Sequence, residues 1–196
     1  MRLSQVLEKQ NVLQKYKNWY VLDDEFSWNL EILYHTIFRH LDSRYQVPVI
    51  FCSIREANKI ISDLGDEEEE YLRFASAIYW RESGIIFIFD YDEYIPLIKT
   101  LFHEFRHVMQ DLSPDFRHHF DSDRKLPYKK RITEMDAFQF AEDKTIEYLQ
   151  LQLLMNTFHS PLLFFNIWIN SVTRYQLHKN LNTIWKSLLR PLLPNL

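Results

Sequence analysis

Leu97–Leu112 reads LIKTLFHEFRHVMQDL, and both the fold and the chemistry of this chain turn on it. Leu97, Ile98, Leu101, Phe102, Phe105, Val108, Met109 and Leu112 recur at three- and four-residue steps, the broad apolar stripe of a buried helix. Pro96 suits the first turn of that helix, and Ser113-Pro114 ends it. Immediately upstream, Gly84–Phe89 (GIIFIF) is a β-branched and aromatic run that reads as a strand, stopping at Asp90-Tyr91-Asp92-Glu93. A strand feeding a long buried helix is therefore the centre of the fold.

Within the helix lies His103-Glu104-Phe105-Arg106-His107. Residues four apart share a helix face, so both imidazoles can offer a ring nitrogen to one metal ion. Glu104 sits about one hundred degrees around from His103, close enough to reach a water on that ion without being a ligand. This H-E-x-x-H spacing is the pattern of zinc-dependent hydrolysis, with the glutamate as general base. Phe105 is expected in the core and Arg106 on the helix surface. Catalytic zinc takes three protein ligands and keeps a fourth position open. The candidate third ligand is Glu134, at the head of a second helical pattern running from about residue 133 to 158, with Phe138, Ala141, Thr145, Tyr148, Leu149 and Gln152 in period.

HEFRHVMQ followed by Glu134, Ala137, Phe140 and Ala141 in an E-x-x-A-x-x-F-A pattern resembles the gluzincin metallopeptidases, most of all the small ImmA/IrrE-type group. The likeness covers roughly residues 70–150. It implies a zincin-like domain, zinc held by His103, His107 and Glu134, Glu104 as base, and a protein or peptide substrate, a regulatory protein among the options. Some gluzincins place an aspartate four residues after the ligand glutamate to orient a histidine. Here that position is Phe138, so Asp136 or a backbone carbonyl is expected to take the role. For the oxyanion, Tyr128, His118, His119 and Tyr175 are candidates, with Tyr128 preferred because it lies six residues before Glu134.

The surrounding sequence fills in an α+β, mainly helical fold with a small mixed or antiparallel sheet. Hydrophobic residues make up 46% and only two glycines occur, which favours helices with short connections over a β sandwich. Residues 1–20 read as one modestly amphipathic helix, 28–42 as a clearer one flanked by His35 and His40, Val47–Ser53 as a strand with Pro48 near its start, which suits an edge strand or a strand's first position, and Ile54–Leu64 as a short helix. Ala75–Trp80 and Gly84–Phe89 read as a hairpin; the second strand resembles the one that precedes the metal helix in zincin-like folds, and that resemblance implies a sheet edge open to an extended peptide. Asp66–Glu70 is expected to be a solvated acidic loop or helix start, and Asp111–Arg131 a polar surface loop beside the metal with room for a short helix. Residues 1–158 are assigned to the catalytic domain and 159–196 to a helical pair completing its core.

Charge and cysteine content narrow the setting. A net charge of −4 gives no reason to expect nucleic-acid binding, and no helix-turn-helix is visible. The lone Cys52 suits a reducing compartment, and Met1–Tyr20 has no apolar signal core, so a cytoplasmic protein is expected. No run reaches the roughly twenty apolar residues of a membrane span, although the basic, amphipathic stretch 161–190 suits peripheral contact with a membrane. The alternative to an enzyme is a non-catalytic binding or regulatory protein on the same scaffold, its metal structural and its C-terminal helices engaging a partner.

Overall fold

Val49–Phe51 (β3) and Ile85–Ile88 (β5) are buried at every position, the mark of strands covered on both faces. They form the middle of a five-stranded sheet of order β1-β2-β3-β5-β4 in a computed structural model that describes residues 2–66, 75–123 and 125–157. Trp19–Val21 (β2), β3 and β5 run parallel, while Gln14–Tyr16 (β1) and Ala77–Trp80 (β4) add antiparallel strands at the two edges. The sheet is thus mixed, and the fold is α+β with helices predominating. By its contacts the chain divides into Met1–Tyr148 and Leu149–Leu196, and the description that follows concerns the first of these.

Strand alternation sorts the core into two layers. Ile50, Cys52, Ile85 and Phe87 face Val6 and Leu7 of α1 (Leu3–Leu7) and Ala57, Ile60 and Ile61 of α3 (Ile54–Leu64). The opposite face carries Trp19 and Phe51 against α2 (Leu30–His40) and α4 (Tyr94–Leu112). There the Trp19 ring lies 5.3 Å from Tyr34 and 6.2 Å from Phe105. Local chemistry sets the helix ends. Asn29 accepts the Ile32 N–H at the start of α2, and Ser53 with Glu56 forms a capping box on α3. Gly65, at φ 98°, closes α3 in the left-handed region that glycine tolerates best.

Several expectations need correction. Residues 1–20 are not one helix: after the five residues of α1 the chain turns into the β1–β2 hairpin. Tyr16 pairs with Trp19 across Lys17-Asn18, and Lys17 takes φ 52° to make the turn. The strand before the motif helix is not an edge strand, because β5 is flanked by β3 and β4; the edge is β4. Val47–Ser53 does hold a strand, and of the two places open to Pro48 it takes the one at the strand's start rather than an edge strand: it stands just ahead of the interior β3, its carbonyl accepting the Ile86 N–H. Asp111–Arg131 is more ordered than a loop with a short helix in it: Pro114 opens that helix as α5 (Pro114–Asp123), and a 3-10 turn follows at Tyr128–Lys130.

The second long helical pattern is α6 (Ile132–Thr157). Its first turn is capped from outside: the Asp123 carboxylate at the end of α5 accepts both the Thr133 N–H and the Thr133 hydroxyl, at 2.8 and 2.7 Å. Among the described residues, no helix is long and apolar enough to cross a membrane. The helical pair assigned to 159–196, the basic stretch 161–190, Tyr175 and acidic residues 67–70 lie outside the described residues.

Candidate metal centre

Nineteen residues of α4 run under the sheet with their apolar stripe buried, so the polar side chains on the remaining face are held against α6. Three ties show that the two helices run antiparallel. Gln110 reaches the Thr133 carbonyl at 2.8 Å, Arg106 reaches Asp136 at 2.6 Å, and Lys99 reaches Glu142 at 2.7 Å. Ala137 and Ala141, both fully buried, leave no bulk on the inner side of α6. This packing carries Glu134, in the first turn of α6, up to the histidines of α4.

His103, His107 and Glu134 come together as the sequence anticipates. Their Nε2, Nε2 and Oε2 atoms form a triangle of 3.1, 3.3 and 3.5 Å sides. Donor atoms bound tetrahedrally at about 2.0–2.1 Å stand about 3.3–3.4 Å apart, so these side chains fit around one divalent ion. Among the described residues, this is the one group of three or more His, Cys, Asp or Glu side chains placed to hold a metal. Glu134 Oε2 is buried with no hydrogen-bond donor, as a lone pair awaiting a cation would be.

Protonation preferences follow the same arrangement. Burial raises the Glu134 pKa, but the adjacent imidazoles of His103 and His107 and the Tyr128 hydroxyl outweigh it and hold the carboxylate ionised, well below the usual range. For His107, burial works downward, and the Glu134 contact together with the charges of Glu104 and Glu134 leaves its pKa raised. Glu104 is buried next to the group, and loss of hydration pushes its pKa up against the opposing pull of His107 and His103. The Tyr79 N–H of β4 donates to that carboxylate.

The residue that orients His107 is one the sequence does not single out. His107 Nδ1 lies 2.9 Å from Gln110 Oε1. The Gln110 amide nitrogen donates to Thr133 O at 2.8 Å and to Asp136 Oδ2 at 2.7 Å, so its oxygen must be the atom facing His107. His107 therefore carries its proton on Nδ1 and keeps the Nε2 lone pair for the site. Asp136 acts one step removed, held in turn by a two-pronged bond from Arg106 at 2.6 and 3.1 Å. Arg106 is thus half-buried between the helices, with its guanidinium over Phe140 and Phe116, and is no idle surface residue. Its neighbour Phe105 is in the core as expected.

Of the oxyanion candidates, Tyr128 reaches the site. Its hydroxyl bonds to Glu134, and burial with the charges of Glu134 and Glu104 keeps the phenol protonated. His118 and His119 lie on α5 with rings 4.1 Å apart and do not join the group. Phe138, standing where an aspartate orients a ligand in some gluzincins, lies 4.6 Å from the His103 ring. His103 Nδ1 is buried without a partner.

The family described as Protein of unknown function (DUF3920) matches residues 21–152. The chain belongs to that family. The DUF3920 match runs from the end of β2 through most of α6, so it takes in His103, Glu104, His107, Gln110, Glu134 and Asp136 together. No curated protein and no solved structure matches the chain.

Proposed function

We propose that this protein is a zinc metallopeptidase of zincin type, hydrolysing peptide bonds with Glu104 as general base. The observation that carries the reading is the donor triangle of His103, His107 and Glu134 with a buried carboxyl of raised pKa beside it. Two neutral imidazoles and one carboxylate are a donor set suited to zinc and shared by hydrolytic zinc sites. When bound, zinc would supply Lewis acidity, lowering the pKa of its water towards about 7 and polarising the scissile carbonyl.

The chain's own residues supply the rest. Glu104 takes a proton from the attacking water and passes it to the leaving amine, for which its raised pKa is the right adjustment. Tyr128, protonated and beside Glu134, is placed to donate to the oxyanion. Gln110 keeps His107 in the ligating tautomer. An extended peptide adding to the outer edge of β4 would run past Glu104, because that carboxylate already meets the Tyr79 N–H of the same strand.

The test is cleavage of a proteome-derived peptide library by zinc-loaded protein, read as new peptide termini by mass spectrometry. Wild type is expected to create them. Glu104→Gln should retain the metal and lose turnover by about 10²–10⁴-fold. Equal behaviour of the two proteins, with metal bound in both, would contradict the enzyme and favour a binding protein on the same scaffold.

A further inference from the structure

Eight large hydrophobic residues are exposed among the described residues, and five of them fall between residues 126 and 138: Leu126, Tyr128, Ile132, Met135 and Phe138. Ile132, Met135 and Phe138 sit at three-residue steps on the outer side of α6, and Met135 and Phe138 are 59% and 50% exposed. Burying such side chains is favourable, so leaving a cluster of them in water is informative where isolated ones are not. The cluster is continuous with the candidate centre. Phe138 rests on the His103 ring at 4.6 Å, Tyr128 bonds to Glu134, and the Tyr128 and Phe138 rings are 6.1 Å apart. These side chains therefore border the His103–His107–Glu134 group.

The same rim is positively charged. Lys125, Lys129 and Lys130 are exposed, and among the described residues none has an ion-pair partner. The two acids of the segment are engaged inward, Glu134 with the histidines and Asp136 with Arg106. Apolar side chains set among unneutralised cations form a surface complementary to a segment that is both apolar and acidic. The chain's own residues 149–196 lack that chemistry, having four Lys or Arg and no Asp or Glu.

We infer that the rim formed by residues 125–138 selects the substrate: the peptide that enters the site carries bulky apolar side chains next to the scissile bond, flanked by Asp or Glu. This assignment rests on the peptidase reading and adds its substrate class. Phe138 and Met135 would bind the apolar side chains, and Lys129 and Lys130 the acidic flank.

Two hydroxamate-capped peptides test it, sharing a Leu-Phe core and flanked either by Asp and Glu or by Lys, with acetohydroxamate as the control for the metal. Binding to the zinc-loaded full chain is followed by calorimetry. The acidic peptide should bind about tenfold more tightly at low salt, with the difference shrinking as salt screens the rim. Lys129→Glu with Lys130→Glu should reverse the preference. Met135→Ser should weaken both peptides and leave acetohydroxamate unchanged. Equal binding of the two peptides while acetohydroxamate still binds would overturn the substrate assignment alone. Failure of acetohydroxamate to bind, with no zinc taken up, would overturn the peptidase reading and the assignment with it.

Discussion

The two sides of α6 near its start are arranged the opposite way round from an ordinary surface helix. Its inner side, against α4, carries Glu134 and Asp136 in a network with His103, His107, Gln110 and Arg106. Its outer side carries Ile132 and Met135 in solvent, and Phe138, half exposed, stands at the border against the His103 ring. A helix selected for stability alone would bury the apolar set and expose the charges. Here only Ala137 and Ala141 follow that rule on the inner side. The inversion sets the polar groups in contact with one another between the helices and leaves the apolar groups at the border of the candidate metal centre.

That contrast predicts a graded series of effects. The largest comes from pH acting on the inner side. A ligating imidazole must be unprotonated, so metal affinity should fall about tenfold per pH unit for each histidine that has to lose a proton. His107, raised by Glu134 and Glu104, should enter that regime at a higher pH than an ordinary histidine. For the metal-free chain the sign reverses. A raised folded-state pKa contributes stability below the unfolded value and loses it as pH rises through the folded one. Metal titrations and denaturant midpoints across pH 5 to about 8 should therefore move in opposite directions.

Next comes Gln110→Leu, which keeps the volume and removes both ends of the relay. It should weaken metal binding by about 10–100-fold in competition with a chelator while the circular dichroism spectrum stays that of the wild type. An unchanged affinity would mean that His107 needs no such partner. Arg106→Met should cost about 2 kcal/mol in denaturant unfolding, since it strips Asp136 of a two-pronged charged bond at the helix interface. The smallest effect belongs to the outer side: Ile132→Ser and Met135→Ser should each change stability by no more than about 0.5 kcal/mol. A large loss there would show that the exposed side supports the fold, and the contrast between the two sides would fail.

Much of the inner side was legible in the sequence, and the reasons are physical. Helical period and motif spacing are local, so α4, the start of α6 and the shared face of His103 and His107 follow from residues near one another in the chain, whereas the convergence of the more distant Glu134 is legible only through the E-x-x-A-x-x-F-A pattern it opens. Gln110 escaped because an amide three residues past a histidine reads as an ordinary helix surface until Thr133 and Asp136 are brought against it. The i, i+3 relation to His107 was the one available signal. Residues 14–21 were misread because Val12, Leu13 and Tyr16 fit a helical stripe, whereas the pairing of Trp19–Val21 with β3 depends on contacts thirty residues away. The same reason hid the place of β5: its sequence shows a buried strand but not which neighbours flank it.

The central claim is that three side chains from two antiparallel helices hold one metal ion. Zinc content of the purified full chain by mass spectrometry, for wild type and Glu134→Ala side by side, tests it most directly. About one zinc per wild-type chain and a large loss in the variant is the expected result. A metal-free wild type after purification in zinc-containing buffer, or equal zinc in both proteins, would contradict it.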